Sequence, residues 1–216
     1  MVRRPSLSRE RVIEAAAQVA DRDGLGAVSM RNVGKQLGVE AMSLYHHVAN
    51  KDDLVDALAD WIFTRVEVPP PGQPWRSAMQ ERAASLRRAL SGHSWALNLT
   101  ESRRTPGTAL LRHHEAVLGS LRAGGFSVAL ASHAFSAIDA YVYGFVLTEQ
   151  KLPFQAEEGA QAFVADLALP EHDYPHLTQM MAELVIGKPY RFADEFDYGL
   201  TLILDGLAER LDREDG

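Results

Sequence analysis

Three pairs of histidines are the residues in this 216-residue chain that most invite chemistry: His46-His47, His113-His114, and His172 with His176. None has the makings of a metal site. Adjacent side chains on a helix point about 100° apart, so neither neighbouring pair can close on one ion. His172 and His176 have the i, i+4 spacing of a helical zinc motif, but Pro175 interrupts it and the accompanying Glu is absent. The chain has no Cys, which excludes disulfides and thiolate zinc sites. It also lacks a G-x-S-x-G elbow, a P-loop and a G-x-G-x-x-G turn. The sequence therefore reads as a protein with no catalytic residues, no metal and no cofactor. The chemistry left to explain is recognition.

Charge suggests what is recognised. The net charge is −7, yet residues 1–51 carry eight Lys and Arg against five Asp and Glu. Arg3, Arg4, Arg9 and Arg11 open the chain. Arg31, Lys35 and Lys51 surround the short run Met42-Ser43-Leu44-Tyr45-His46-His47. A compact basic surface on an acidic body suits a protein that meets a polyanion with one face. The run itself is too short to be a stable helix alone and too polar for a core strand. Its neighbours must hold it.

Those neighbours are helices, and the fold class is all-α. After Ser8, an N-cap residue, Val12, Ile13, Ala16, Val19 and Ala20 form an apolar stripe that ends at Gly24. Ser29 opens a second helix carrying Met30, Val33 and Leu37, and Gly38 ends it. Ala41–His47 is read as a third, and Asn50 caps a fourth with Asp52 and Asp53 in its first turn, where the helix dipole favours them. "VEVPPPGQPW" then breaks the pattern. This divides the chain into residues 1–66, a Pro-rich linker at 67–74, and residues 75–216. The second part reads as a helix over Trp75–Leu90, a turn around Trp95–Leu99, a helix after Pro106, a long one after Ser127, two short ones within 152–190, and a last one over about Ala193–Leu211. A hydrophobic fraction of 46% and a charged fraction of 24% are ordinary for a soluble globular protein. No apolar run approaches about 18 residues, and Met1–Arg11 lacks the apolar stretch of a secretory signal. A cytoplasmic protein with no membrane partner is expected.

A helix from Ser29, a turn at Gly38-Val39-Glu40 and a short helix from Ala41 make a helix-turn-helix. Gly38 permits the positive φ that a sharp turn requires. Val39 and Leu44 are apolar because the second helix must pack on Val33 and Leu37. The outward face is left to Ala41, Met42, Ser43, Tyr45 and His46. Small or apolar side chains there let a recognition helix sit deep in the major groove and touch thymine methyls. The hydroxyls of Ser43 and Tyr45 and the ammonium of Lys51 suit phosphate oxygens.

Residues 8–66, centred on "SMRNVGKQLGVEAMSLYHHVANKDDLVDAL", resemble the DNA-binding domain of the tetracycline-repressor (TetR) family of bacterial regulators. The pattern is carried by Leu44, Tyr45, His47, Val48, Asn50 and Lys51. "GGFSVALASHAFSAIDAYVYGFVLTEQ" and "FDYGLTLILDGLAERL" are similar to the C-terminal domain of the tetracycline-repressor-like subgroup. The resemblance implies that Ala41, Met42 and Tyr45 read bases or back the groove floor and that Arg31 reaches a base edge. It implies that Ser29, Ser43, His47 and Lys51 face or support phosphates. It further implies a homodimer on a palindromic operator, joined by a four-helix bundle made from the long helix after Ser127 and the last helix.

The remaining helices would enclose a cavity for a small, largely hydrophobic effector. Its candidate lining is Trp61, Met79, Trp95, Leu110, His113, His114, Phe135, Asp139 and Tyr143, an apolar wall with a few orienting polar groups. Glu101–Val117 does not reproduce the His and amide residues that hold metal-chelated tetracycline, so tetracycline itself is not expected. The expected protein is thus a DNA-binding transcriptional repressor with double-stranded operator DNA and a small-molecule effector as partners. The alternative is a dimeric small-molecule-binding protein without specific DNA binding.

Overall fold

The computed structural model describes residues 6–101, 106–154 and 157–214; Arg3 and Arg4 of the basic cluster lie outside them. α1 (Arg9–Asp23) starts at Ser8, whose hydroxyl accepts the Arg11 amide. α2 (Met30–Leu37) starts at Ser29, which caps the Asn32 amide. α3 (Ala41–Leu44) follows, and α4 (Lys51–Phe63) is capped by Asn50 through the Asp53 amide. Val12, Ala16, Val33, Leu44, Leu54 and Leu58 are wholly buried and form one core beneath these four helices. Each of the Val and Leu side chains among them contributes about 1.5–3 kcal/mol. That tertiary gain is what holds a four-residue α3 in place.

α3 is shorter than the expected Ala41–His47. Beyond Leu44 the backbone tightens into i, i+3 bonds, with the Tyr45 amide on the Met42 carbonyl and the His47 amide on the Leu44 carbonyl. The tightening returns Val48 to the core, where it is buried. Gly38 stands at φ 68°, ψ 37°, the left-handed conformation that closes α2 and starts the turn.

The Pro-rich stretch is tied to the body at its start. Val66 is buried, and the Glu67 amide donates to the buried Ser85 hydroxyl at 2.9 Å. Beyond it come α5 (Trp75–Gly92), α6 (Ala96–Glu101), α7 (Thr108–Ala123), α8 (Val128–Lys151), α9 (Glu157–Leu167), α10 (Pro175–Leu184) and α11 (Glu195–Glu214). The turn expected at Trp95–Leu99 is mostly helix, because Trp95, Ala96, Leu97 and Leu99 all find buried positions. The last helix starts later and ends later than its apolar stripe suggests. A single 3₁₀ turn at Phe192–Asp194 precedes it, and its end is fixed where Glu214 meets the Ser127 hydroxyl at 2.9 Å.

α8 is the axis of the second half and packs against α5, α7 and α11. By length and composition alone it could cross a membrane, since its most apolar window has a mean hydropathy of 1.2. The apolar-run test on the sequence misses this because polar residues are scattered along it. One of those, Asp139, is buried in the middle of the helix.

Candidate nucleic-acid interface and effector site

The helix-turn-helix presents its candidate residues on one exposed face. Met42 is 73% exposed and Tyr45 47%, so an apolar and an aromatic side chain of one short segment stand at the surface together. His46, Lys51 and Arg31 are also exposed, while Ala41, Ser43, His47 and Ser29 are partly covered. Leu44 and Val48, interleaved with them, face the core. The alternation follows from helical geometry: Leu44 and Val48 are one turn apart, and Met42 and Tyr45 lie three apart on the other side. The Ser29 hydroxyl is engaged as the cap of α2, which leaves it able to donate outward.

Arg9, part of the basic opening cluster, has an internal role. Its guanidinium makes two hydrogen bonds to Asp53, at 2.7 and 3.0 Å, and a third to the His47 carbonyl at 2.9 Å. Asp53 also accepts the Ala49 amide at 2.8 Å. The bonds from Arg9 and from that amide hold the Asp53 carboxyl below its ordinary pKa. α1 thereby fixes the turn that follows the recognition helix. Sequence reading counted Arg9 as surface charge because its partner is far away along the chain.

The candidate effector residues fall into two groups. Trp61 and Trp95 stack at 6.2 Å in the joint between the two halves. The Trp61 indole donates to Glu14 and the Trp95 indole to Asp21, both on α1. His93 meets the same Asp21 at 2.8 Å, and Arg65 lies 4.4 Å over the Trp61 ring while bonding Glu14. The joint is closed from a second side by Asp60 of α4. Its carboxylate accepts the amides of Ala109 and Leu110, capping α7. Gly107 makes this approach possible, since a Cβ there would fall 2.2 Å from Asp60 Oδ1.

The second group surrounds a residue the sequence reading passed over. Arg82 of α5 is 1% exposed. Its Nε–H donates to His113 Nε2 at 3.0 Å, and its Nη1 is in ion contact with Asp139. Phe135 lies under the guanidinium at 5.8 Å, edge-on to His114 at 4.7 Å, and Phe63 leans on His113 at 5.6 Å. Met79 precedes Arg82 by nearly a turn on α5, Leu110 precedes His113 on α7, and Tyr143 follows Asp139 on α8, so all share the inward sides of these helices. Burial, then Arg82, then His114 push the His113 imidazole down to about 3, so it is neutral and can accept from Arg82. His114 is also lowered, chiefly by burial. A signal for Arg82 was present: it stands within the Met79, Ala83, Leu86, Leu90 stripe, where a charge must be buried.

A cleft of about 320 Å³ lies elsewhere, between the ends of α5 and α8 and the segment Tyr190–Ala193. None of the nine candidate residues lines it. They are packed against one another and the core instead. Among the described residues no cluster of His, Asp or Glu could hold a metal ion.

This arrangement defines a helix-turn-helix head locked onto a helical body. Residues 12–58 match the family of bacterial regulatory proteins, tetR family, and residues 68–211 match the tetracyclin repressor-like C-terminal domain. The chain belongs to the TetR family of DNA-binding transcriptional regulators. It is 37% identical to an HTH-type transcriptional regulator of Saccharopolyspora erythraea, over 81% of this chain and 75% of that one. It is 31% identical to the HTH-type transcriptional repressor DrrR1 of Streptomyces coeruleorubidus, over 94% of this chain and 78% of the relative. The solved structure of the TetR family protein ActR of Streptomyces coelicolor in complex with actinorhodin superposes with a TM-score of 0.75 at 28% identity, covering 96% of this chain and 99% of ActR.

Proposed function

We propose that the chain is a repressor that binds a palindromic operator as a homodimer and is released by a small, largely hydrophobic effector. It performs no catalysis and acts in the cytoplasm. The observation that carries the reading is the pairing of exposed Met42 and Tyr45 with buried Leu44 and Val48 on one short segment. A braced helix with an outward apolar face suits the major groove, where methyl contacts and shape carry specificity. Ala41, Met42 and Tyr45 meet bases, Arg31 reaches a base edge from α2, and Ser29, Ser43, His46, His47 and Lys51 contact or support the phosphates.

Residues 1–66 act as the head, 67–74 as the connector and 75–216 as the sensing and dimerising body. The outer sides of α8 and α11 support dimerisation. Val128 is 73% exposed and Leu202 58%, and Tyr198 and Leu147 are exposed beside them. Two such helices from each protomer bury these residues in a four-helix bundle. The effector reading rests on the Arg82 group, formed by Met79, Leu110, His113, His114, Phe135, Asp139 and Tyr143, with Trp61 and Trp95 coupling it to the head. ActR, crystallised in complex with actinorhodin, supports a small-molecule ligand for a chain of this fold. An effector that fits better with α7 displaced from Asp60 shifts the population toward heads that cannot span both half-sites.

The test is a gel shift on DNA upstream of the chain's own gene, with and without compounds of the effector class. Salt-sensitive binding to a palindrome supports the reading. Equal binding to unrelated DNA contradicts it.

A further inference from the structure

We propose that Arg82 and His113 select an effector through an uncharged carbonyl oxygen on an aromatic skeleton, such as an aryl ketone or quinone. The inference rests on the effector-responsive reading above and names the chemistry of that site. Arg82 offers five N–H donors. Nε is spent on His113 and Nη1 faces Asp139, while Nη2 has no acceptor among the described residues. Because His113 accepts at Nε2, its proton sits on Nδ1, which likewise has no partner among the described residues. Both atoms are buried. Asp139 Oδ1 also lacks a hydrogen bond but is held in the ion contact with Arg82 Nη1, so the valences still unmet in the cluster are donors on adjoining groups, and each buried donor without an acceptor is costly.

Charge decides which acceptor satisfies them. Arg82 carries one positive charge, Asp139 one negative, and His113 is neutral. The cluster is already balanced. A carboxylate would bring a net negative charge into a buried site, which is unfavourable. A ketone oxygen supplies two lone pairs without disturbing the balance. Aromatic rings stand beside the donors: Phe135 lies under the guanidinium, His114 is edge-on to Phe135, and both are only half-buried. A flat, uncharged aromatic carbonyl compound matches the donors, the charge and the walls together.

The experiment measures binding of three probes of one shape to the full-length protein by isothermal titration: 9-fluorenone, fluorene and fluorene-9-carboxylate. Fluorenone is expected to bind about tenfold more tightly than either of the others. Arg82→Met is expected to bring fluorenone down to the level of fluorene. Asp139→Asn leaves Arg82 unbalanced and is expected to turn the preference toward the carboxylate, a reversal that a purely structural ion pair would not produce. If Arg82→Met does not fold, the wild-type ranking and the near-isosteric Asp139→Asn decide. Indifference among the probes, a wild-type preference for the acid, or no measurable binding overturns the proposal. Operator binding is read on the same preparations. DNA binding without probe discrimination sinks the carbonyl site and leaves the regulator standing; the expected ranking without any DNA release supports the site and contradicts the effector reading.

Discussion

Asp60 of α4 accepts the backbone amide of Leu110 of α7 at 3.0 Å, so a helix of the DNA-binding head caps a helix of the body. The second oxygen takes the Ala109 amide at 3.1 Å. A carboxylate at a helix N-terminus satisfies orphan amides and complements the dipole. α7 also carries His113 and His114. A shift of α7 at the effector group is thus felt directly by α4, the helix behind the recognition segment.

Asp60→Ala is expected to lower stability by about 0.5–2 kcal/mol, the usual worth of a capping side chain. For a chain of this size that is a drop of about 2–4 °C in melting temperature per kcal/mol. Effector binding should persist while its influence on operator affinity declines. Unchanged melting and unchanged effector response would show that the cap contributes nothing.

The bidentate contact of Arg9 with Asp53 makes a different prediction. Arg9→Ala should weaken operator binding several-fold by loosening the turn after Tyr45, yet leave the salt dependence unaltered, because Arg9 is spent internally. A shallower salt slope would place Arg9 on a phosphate instead. The Asp53 carboxyl, lowered by Arg9 and the Ala49 amide, contributes stability that is present above its ordinary pKa and lost as pH falls below it. Acid melts of wild type and Asp53→Asn read that contribution by difference.

Lys51 and Met42 separate affinity from specificity. Lys51→Ala is expected to reduce the slope of log K against log salt by about 0.9, one phosphate's worth, on every DNA sequence. Met42→Ala should keep the slope and narrow the gap between operator and mutated operator by about 1 kcal/mol. Binding isotherms at four or five salt concentrations distinguish the two.

Much of this architecture was legible because capping is local. Ser8, Ser29, Asn50 and Ser127 mark helix starts within a few residues of themselves, and each is seen to cap. The braced character of Leu44 beside Tyr45 was equally readable from spacing. What could not be read depends on docking between distant segments. Arg9 with Asp53, Asp60 with Leu110, and Arg82 with Asp139 leave no local trace of their partners. Trp61 and Trp95, expected at the cavity wall, turn their indole N–H groups to α1 across the joint, a contact with no local trace either. The length of α3 was overestimated because only the need to bury Val48 ends it.

His113 gives the pH prediction. Its folded pKa of about 3 lies below the ordinary 6.5, so the folded state binds fewer protons than the unfolded one between those values. Its contribution is complete above pH 6.5 and declines as pH falls toward 3. One differential proton corresponds to about 1.4 kcal/mol per pH unit. His113→Gln keeps a neutral acceptor for Arg82 and should flatten the fall in melting temperature between pH 6.5 and 4.5. An identical fall in both proteins would mean that His113 charges without penalty.

The most direct test of the central claim is hydroxyl-radical footprinting of wild type and Tyr45→Ala on the DNA upstream of the chain's own gene. The account predicts protection on one side of the duplex, in two patches about one helical turn apart, weakened throughout by Tyr45→Ala. Protection that is absent for wild type, or that Tyr45→Ala leaves intact, would contradict it.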